Sequence, residues 1–493
     1  MSWLRTAFAL VTLCLIIVAT GGAVSAVDSD TPQPDRIGTE TTDGPSDPDD
    51  DRIGWEGGYW YNESIDVDQS DGLSDAELQR YKYRTMARLE AIRGLEFTDD
   101  VAIEFIGPGE LESRIEGNIT QFRGSDQQWE ALFVIGEDRD AEQVLTDTLV
   151  GSVAGWAAEE GSESVVLVTD DPSEPTVLRT LLAHELVHVL QDQQFDLSAE
   201  RYQRATLDGE HAKDAVVEGE ASHLDSVYEQ YCTNGSWDCV DGGSFVTGPD
   251  FGVEYGLFPY LQAPYTLGSE YVGRLIDRGG FDAVDAAHRN PPEYSVTALR
   301  GESSATAPWT GIELSVPDRS ADSWTRQATP DRVGAMGLTA TFGDAARAWR
   351  GGALYAYTNG SADGYVWETR WSNETTAERF LDAYRGEIRS KDGSVVSEGV
   401  WRVPDGPFAD AFALNRTGNI VRIVNAPSVS ALLAVHDDAP SDRTHTPGSA
   451  TDGDGQTMTA EGSGPGFGPV VALVAIFVGI TAVKNSRLSG RGR

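Results

Sequence analysis

The sequence predicts an α+β fold, because strand-like and helix-like segments both occur and no internal repeat is present. Residues 163–171, ESVVLVTDD, form a short β-branched run of the kind found in buried strands. Apolar side chains recur at helical spacing at 74–95 and 176–194. Two more strand-like runs occupy 352–359 and 364–371, and VWETRW in the second alternates like a half-exposed strand.

Composition divides the chain into folded and unfolded parts. The 493 residues are enough for more than one domain, and stretches rich in Asp, Gly, Pro, Ser and Thr cannot bury a core. The predicted order is a signal peptide at 1–26, a disordered acidic spacer at 27–54, a first domain at 55–300, a linker at 301–330, an α+β C-terminal domain at 331–440, a low-complexity spacer at 441–463 and a C-terminal tail at 464–493.

Helix boundaries follow from capping signals and breakers. Ser74 and Glu77 have the spacing of a capping box, and Gly94 is placed to end the helix that they begin. Further helices are predicted at 176–194, 208–231, 266–278, about 338–349 and 375–387.

The charge balance is extreme, with a formal net charge of -42. Such a chain repels phosphate backbones, which argues against a nucleic-acid partner. Only four of the 37 basic residues are lysines, namely Lys82, Lys213, Lys391 and Lys484. This composition resembles that of proteins from extreme halophiles, whose surfaces work in concentrated salt, where charges are screened over about 3 Å at 1 M.

The two ends of the chain predict export and anchoring. Residues 1–26 combine Arg5, an apolar run and the small residues before Ala26, which is the pattern of a cleaved signal peptide; an uncleaved anchor is the alternative. The apolar segment 466–483 is long enough to span a bilayer, and the basic residues after it belong on the cytoplasmic side. We therefore expect the bulk of the chain to lie outside the cell.

The residues around the C-terminal apolar segment form a specific sequence motif. Pro465-Gly466-Phe467, followed by the apolar run and arginines, resembles the PGF-type sorting tail of haloarchaeal surface proteins. The resemblance implies that an archaeosortase removes the tail and that a lipid anchor holds the protein at the cell surface.

Cysteine and asparagine patterns agree with an exported protein. Cys232 and Cys239 bracket the turn-rich NGSWD and predict a local disulfide, with metal binding by the two thiols as the alternative. N-glycosylation sequons begin at Asn62, Asn118, Asn234, Asn359, Asn373 and Asn415.

The strongest chemical signal is LLAHELVHVLQDQQF at 181–195. His184 and His188 are four residues apart, so a helix presents both imidazoles on one face, where they can bind one tetrahedral Zn²⁺. Glu185 is placed to act on a metal-bound water as general base. Composition gives only about 0.01 such HExxH matches by chance. The alternative is a structural helix without a metal.

A catalytic zinc needs a third protein ligand. The second helix, with VVEGEASHLDSVY, offers Glu218, Glu220, His223 and Asp225, and spacing alone leaves this choice open. Asp192, four residues after His188, and Asp214, four residues before Glu218, can orient ligands or can be solvated acids.

HELVH followed by EGEA resembles the gluzincin metalloproteases, in which a glutamate on a second helix completes a His₂Glu site. The longer words AHELVHVLQDQQF, EGEA and GGFDAVDAAHRNPP resemble a group of exported archaeal and bacterial proteins with this zincin-like core, and that resemblance covers roughly 150–300. It implies a zincin-like core, a mixed sheet with an HExxH helix and a second ligand helix, and Glu218 as third ligand. This sequence departs from the usual N-E-G motif, because Val217 stands in the position of the asparagine before Glu218.

The same resemblance implies an oxyanion donor and a substrate-binding strand. Gluzincins often use a tyrosine as donor, and Tyr265 is chosen here from a set that also includes Tyr255, Tyr260 and Tyr271. The run SVVLVT resembles the edge strand that pairs with an extended peptide.

The expected function is that of a cell-surface zinc metallopeptidase acting on an extracellular protein or peptide. His184, His188 and Glu218 are expected to bind zinc, Glu185 to be general base and proton shuttle, and Tyr265 to assist. The alternative is a surface-binding or envelope-structural protein whose zincin-like zinc site is structural or inactive. A zinc hydrolase acting on other substrates would share the same site.

Overall fold

The structure is a computed structural model, and it describes residues 12–14, 51–115, 124–157, 164–243, 253–300 and 316–439. The described residues all lie within one compact unit, which spans Met1–Asp442. The predicted sorting tail, its apolar segment and most of the predicted signal peptide lie outside the described residues. Within the described ranges, no helix is both long and apolar enough to cross a membrane.

Helices and strands are mixed along the described chain. The α-helices are α1 (Asp75–Arg93), α2 (Pro108–Ile115), α3 (Asp126–Ala131), α4 (Ala141–Val150), α5 (Arg179–Phe195), α6 (Leu207–Thr233), α7 (Phe258–Gly279), α8 (Phe281–Arg289), α9 (Ser295–Arg300), α10 (Gly334–Phe342), α11 (Glu374–Ser390) and α12 (Leu432–Val435). The strands are β1 (Thr12–Cys14), β2 (Trp55–Glu56), β3 (Tyr59–Trp60), β4 (Ala102–Ile106), β5 (Gly155–Ala157), β6 (Ser164–Val168), β7 (Thr325–Arg326), β8 (Trp349–Thr358), β9 (Asp363–Trp371), β10 (Ser394–Ser397), β11 (Val400–Arg402), β12 (Ala411–Thr417) and β13 (Ile420–Ala426). The α+β class is confirmed.

Helix α1 begins and ends where its sequence predicts. The Ser74 side chain accepts a hydrogen bond from the Glu77 backbone, and the Glu77 side chain accepts one from the Ser74 backbone. Gly94 ends the helix with a φ of 76°, a left-handed conformation that glycine adopts without a Cβ clash. The predicted capping box is therefore confirmed.

The first half of the chain forms a small mixed sheet with strand order β1-β5-β6-β4. Strand β4 is parallel to β6, whereas β5 is antiparallel to both β6 and β1. Strand β6 is the β-branched run of the sequence, and its last four residues are buried. Helix α5 packs on β5 and β6, so the sheet is the surface on which the HELVH helix rests.

Helix α6 packs between α5 and α7. Helix α7 begins at Phe258 rather than at the predicted 266, so the prediction was wrong at this end. The prediction placed a Gly/Tyr/Pro-rich stretch, 242–265, before the helix, but Pro259 lies in the first turn, where no helical N–H is needed. Pro264 lies within the helix. The longer helix brings Tyr260 and Tyr265 into the helical layer.

The second half of the chain forms a seven-stranded sheet with order β10-β11-β12-β13-β9-β8-β7, and its pairings are antiparallel. The prediction that VWETRW in β9 is half-exposed was wrong. Trp367 packs on α11 through Phe380, while Val366 on the opposite face joins a separate buried cluster. The polar Glu368 is also buried, where it pairs with Arg422 Nη2 at 2.8 Å.

Side chains from both predicted domains meet in one hydrophobic cluster, which includes Trp129 and Tyr260 as well as Trp367 and Phe412. Hydrogen bonds between polar side chains also join the two predicted domains. Asn425 Nδ2 in β13 donates to a Glu130 oxygen in α3 at 3.1 Å and to an Asp410 oxygen at 2.7 Å. Within 316–330, Val316 and Trp324 are buried against the second sheet.

Candidate metal centre

Helix α5 carries the HELVH residues in the interior. Apolar side chains surround the motif, because Leu182, Leu186 and Val187 are all fully buried. The three polar residues are buried with them: His184 and His188 are 1% exposed and Glu185 is 0% exposed. Burial of this kind is costly for polar groups unless they have partners, so the contacts of these side chains define the site.

Helix α6 supplies the third residue. The helix begins at a Thr206 cap, whose hydroxyl accepts from Gly209 N at 3.2 Å, and it presents Glu218 towards α5. Glu218 is 4% exposed. Glu218 therefore reaches the two histidines across the α5–α6 contact.

The three side chains converge on one point. Glu218 Oε2 lies 3.3 Å from His184 Nε2 and 3.3 Å from His188 Nε2. One ligand atom from each residue lies within 4.8 Å of the others, so the group can hold a metal ion. The histidine rings are 4.8 Å apart with an interplanar angle of 78°. The structure thus brings His184, His188 and Glu218 together.

The donor set suits a divalent transition-metal ion, of which zinc is one. Two imidazole nitrogens and one carboxylate oxygen are ligands that Zn²⁺ prefers, at bond lengths of about 2.0–2.1 Å. Ligand atoms of a tetrahedral site with such bonds lie about 3.3–3.4 Å apart, which matches the two 3.3 Å separations at Glu218 Oε2. Three protein ligands leave one position for water or substrate.

Glu218 is the acidic member of the group. Burial raises the pKa of Glu218, but the charges and hydrogen bonds of His188 and His184 outweigh it and lower the pKa to about 2. Glu218 is thus an ionised carboxylate, ready to act as a ligand.

Each histidine has a partner at its other ring nitrogen. His184 Nδ1 lies 2.9 Å from Asp225 Oδ2, and His188 Nδ1 lies 3.0 Å from Gln191 Oε1. Such contacts fix the tautomer that leaves Nε2 for a metal. Asp225 entered the sequence analysis as a possible ligand, and Gln191 was missed, although it is one turn after His188.

Two acids, Asp192 and Asp214, were left by the sequence as orienting groups or solvated acids, and both have partners in the structure. Asp192 Oδ1 accepts from Leu197 N at 2.8 Å, just beyond the end of α5. Asp214 Oδ1 lies 3.1 Å from Lys213 Nζ. Asp192 therefore supports the end of α5, and Asp214 belongs to an ion pair on α6.

The two runner-up ligands lie elsewhere. The Glu220 carboxylate accepts a hydrogen bond from Arg93 Nε at its Oε1, and its Oε2 lies 2.7 Å from His288 Nε2. Burial raises the pKa of Glu220, but the charges of His288 and Arg93 lower it to about 2. His223 is not part of the three-residue group, and burial lowers its pKa.

Glu185 and Tyr265 both lie beside the group. A Cβ added to Gly155 in β5 would lie 3.4 Å from Glu185 Oε1, so the backbone of this strand runs along the carboxylate. The Tyr265 ring stacks on His184 with centroids 5.9 Å apart and planes at 21°. By contrast, Tyr255 is 64% exposed, and the Tyr260 hydroxyl forms a hydrogen bond with the Thr341 hydroxyl.

Strand β5 also carries an extended segment on its other edge. Residues Thr12–Cys14 form β1 and pair antiparallel with β5, with Cys14 opposite Gly155. Because Gly155 neighbours Glu185, this edge places an extended backbone close to the general-base candidate.

The predicted disulfide is present between Cys232 and Cys239. It closes the chain just after α6, where Arg88 Nη2 donates to Asp238 O at 2.7 Å. The disulfide thereby fastens the end of the helix that carries Glu218 to α1.

A second group, His436, Asp437 and Asp438, also has ligand atoms close together. Its two acids are exposed, and both already pair with Arg319, at 3.6 Å and 2.9 Å. Because both acids are exposed and paired with an arginine, we treat the group as a surface ion-pair cluster.

Comparisons with known proteins identify one region of the chain. A family profile described as a domain of unknown function, DUF8575, matches residues 322–436, which contain the seven-stranded sheet. No curated protein and no solved structure matches the chain. The fold and site together define a mixed α+β protein with a buried His-His-Glu group that can hold a metal ion.

Proposed function

We propose that the protein is a zinc-dependent metallopeptidase that hydrolyses peptide bonds. The observation that carries the proposal is the convergence of His184 Nε2 and His188 Nε2 on Glu218 Oε2, each at 3.3 Å, with Glu185 on the same helix. Glu185 favours an enzyme over a purely structural site, because a carboxylate at this position is not needed to hold the metal.

A zinc ion held here would polarise a carbonyl and acidify a water molecule. Glu185 would accept the proton from that water as its oxygen attacks the carbonyl carbon. The same carboxyl would then return the proton to the amine nitrogen as the C–N bond breaks. Tyr265, stacked on His184, would donate a hydrogen bond to the developing oxyanion.

A peptide substrate is favoured by the edge of β5. Thr12–Cys14 already pair with this edge as an extended strand, and Gly155 brings it close to Glu185. Because backbone pairing accepts any extended peptide, the edge suits a protein or peptide better than a small ester. Predicted cleavage near Ala26 would remove residues 12–14 and free the edge for a substrate.

We further propose that the enzyme is exported and held at the cell surface. The signal-peptide pattern, the PGF-type tail and its implied archaeosortase and lipid anchor support this location, and the Cys232–Cys239 disulfide is typical of oxidising compartments. The net charge of -42 favours a salt-rich exterior. Its partners would be an extracellular protein or peptide and the membrane.

A surface-binding or envelope-structural protein with a structural or inactive zinc site is the second candidate. It is favoured by the enclosure of His184, Glu185 and His188, none of which is more than 1% exposed. An enclosed site can hold a metal without turning over a substrate.

Metal analysis and peptide hydrolysis distinguish these functions. The purified protein in high salt is compared with Glu185→Gln and Glu218→Ala, and with Glu142→Gln as an exposed control. We expect about one zinc per chain in the wild type, in Glu185→Gln and in the control, with a much weaker site in Glu218→Ala. Hydrolysis of a peptide library should be lost in Glu185→Gln alone among the zinc-loaded proteins.

Two results would contradict the peptidase. Zinc without hydrolysis in the wild type would favour the structural or inactive site. Absence of zinc from every variant would show that HELVH is a structural helix.

A further inference from the structure

We propose that the buried face of α1 that carries Arg84 and Arg88 binds a small inorganic anion. Tyr81 of α1 and Tyr228 of α6 add two hydroxyl donors to this anion site. The site is separate from the metal centre, because Tyr228 lies ten residues, or about 15 Å, beyond Glu218 along α6. The inference therefore does not depend on the proposed peptidase activity.

The four side chains meet where α1 packs on α6. Tyr81, Arg84 and Arg88 have the spacing i, i+3 and i+7, so the helix presents them on one face. Tyr228 meets this face, since Arg88 Nη1 donates to its hydroxyl at 3.3 Å. None of the four residues is more than 1% exposed. Because the donors are out of contact with solvent, the site suits a small ion rather than a charged group on a larger molecule.

Arg84 has donors without an acceptor. Its Nη1 donates to Glu63 O at 3.5 Å, whereas its Nε and Nη2 are buried and have no hydrogen-bond partner among the described residues. Burial and, after it, the charge of Arg88 lower the pKa of Arg84 to about 10, so the guanidinium is still charged at neutral pH. A buried charge is strongly unfavourable unless it is paired and hydrogen-bonded.

Arg88 adds a second charge and bonds to neutral acceptors. Its Nε donates to Tyr61 O at 2.9 Å, and its Nη2 donates to Asp238 O at 2.7 Å, both of which are carbonyl oxygens. Its Nη1 donates to the Tyr228 hydroxyl and, at 3.4 Å, to the Cys239 sulfur of the disulfide. These four acceptors carry no charge, so they solvate the guanidinium without neutralising it.

Another buried arginine of the same helix is neutralised by acids. Arg93 Nε pairs with Glu220, and its Nη2 pairs with Asp285 at 2.5 Å. By contrast, Asp238 is exposed, and its carboxylate raises the pKa of Arg84 less than the neighbouring guanidinium lowers it. The chain has 79 acidic residues and a net charge of -42, yet this pair of arginines keeps a net positive charge. A bound anion supplies the counter-charge.

The tyrosine hydroxyls complete the donor set. The Tyr81 hydroxyl is buried and has no hydrogen-bond partner in the part of the chain that the structure describes. Burial raises the pKa of Tyr81 well above its usual range, so the hydroxyl keeps a proton that it can donate. The Tyr228 hydroxyl accepts from Arg88, which leaves its own hydrogen for another acceptor. One anion would give these hydroxyls and the two nitrogens of Arg84 an acceptor.

The anion would fasten α1 to the end of α6 beside the disulfide. The donors come from both helices, and the unfolded chain does not bring them together. A ligand that binds only the folded state stabilises it in proportion to its free concentration. The stability of the protein should therefore depend on the kind of anion present, and not only on ionic strength.

The first test locates the ion. Crystals of the purified protein are grown with sodium bromide as the only halide salt and without sulfate or phosphate, and anomalous diffraction is recorded at the bromine absorption edge. We expect an anomalous peak in contact with Arg84 Nε and Nη2 and with the Tyr81 hydroxyl. A water molecule at this position, or Arg84 donors that all bond to protein oxygens, would overturn the proposal.

The second test measures stability in solution by chemical denaturation at constant ionic strength. Chloride is exchanged for gluconate, which is too large for an enclosed site. Above the dissociation constant, each tenfold rise in chloride should raise the folding equilibrium constant of the wild type about tenfold. Arg84→Met, which keeps the length of the side chain and removes its charge, should lose this response.

Arg80→Met is the matched control for Arg84→Met. Arg80 lies one turn earlier on α1, and its Nη1 donates to Asp66 O at 3.0 Å near the surface. This variant should keep the chloride response of the wild type. A wild type whose stability changes with chloride no more than that of Arg84→Met would overturn the anion site.

Tyr81→Phe serves if Arg84→Met does not fold, because it keeps the ring and removes only the hydroxyl. The loss of one hydrogen bond to a charged ligand should raise the chloride concentration that gives half of the effect about tenfold. Tyr255→Phe, at a residue that is 64% exposed, should not change this concentration. Equal chloride responses of Tyr81→Phe and the wild type would contradict the site with these four donors.

Discussion

Gly219 of α6 and Gly268 of α7 face each other where the two helices cross, and neither position has space for a side chain. A Cβ on Gly219 would lie 2.5 Å from the Gly268 carbonyl carbon, and a Cβ on Gly268 would lie 2.9 Å from the Ala215 Cα. Gly219 separates the two glutamates of the EGEA word. The close crossing therefore holds Glu218 in place and brings α7, with Tyr265, against His184.

Gly219→Ala should destabilise the protein and weaken the metal site together. The added methyl group meets backbone atoms that cannot move independently, and overpacking of this kind costs about 1–3 kcal/mol. Chemical denaturation in high salt measures the stability, and chelator competition measures zinc affinity.

Gly273→Ala is the matched control for this change. It lies on α7, the helix that carries Gly268, and a Cβ there meets nothing within 4 Å. We expect it to be neutral or stabilising by up to about 1 kcal/mol. Equal effects of the two substitutions would show that the Gly219–Gly268 crossing is not closely packed.

Tyr265→Phe should lower kcat about 100-fold and leave KM and zinc content unchanged. The ring that stacks on His184 is kept, whereas the hydroxyl that would stabilise the oxyanion is lost. Steady-state kinetics on a peptide identified from the library measure both constants. A variant as active as the wild type would show that Tyr265 only packs against the histidine.

Removal of the disulfide should destabilise the protein by about 2.5 kcal/mol, the chain-entropy cost for a short closed loop. The change is the double variant Cys232→Ser/Cys239→Ser, compared with the wild type by chemical denaturation. In the wild type, neither cysteine should alkylate until a reductant is added. Alkylation without reductant would contradict the disulfide.

Glu130→Gln should make the protein more stable at pH 8. Burial raises the pKa of Glu130 well above its usual range, and the Asp410 charge adds to this. Burial also raises the pKa of Asp410. A raised carboxyl pKa means that the folded state holds a proton that the unfolded chain releases above about pH 4.5, so stability falls as the pH rises beyond that value.

Denaturation midpoints between pH 4.5 and 8 test this sign. The gap between Glu130→Gln and the wild type should close towards pH 4.5. Glu368→Gln is the control, since its carboxylate pairs with Arg422 at 2.8 Å and its loss should lower stability at pH 8. A Glu130→Gln variant less stable than the wild type across the range would contradict the prediction.

Local sequence patterns predicted the elements of the site well. The cap at Ser74, the β-branched strand and the two helices that carry HELVH and EGEA were all placed from spacing and breakers, because these depend on neighbouring residues. The disulfide could also be predicted from the sequence, because two cysteines separated by a loop this short remain close together in space. The start of helix α7 and the burial of strand β9 were predicted less accurately. A proline near a helix start and a strand buried on both faces both give weak local signals.

The sequence by itself determined that His184 and His188 share one face of a helix, since a spacing of four residues is nearly one helical turn. Only the tertiary structure decided that Glu218 rather than Glu220 joins them, because these residues point about 160° apart around α6 and the packing of α5 selects one side. It likewise decided that Gln191 and Asp225 contact the histidine Nδ1 atoms. Contacts between helices depend on their crossing and rotation, which local periodicity does not specify.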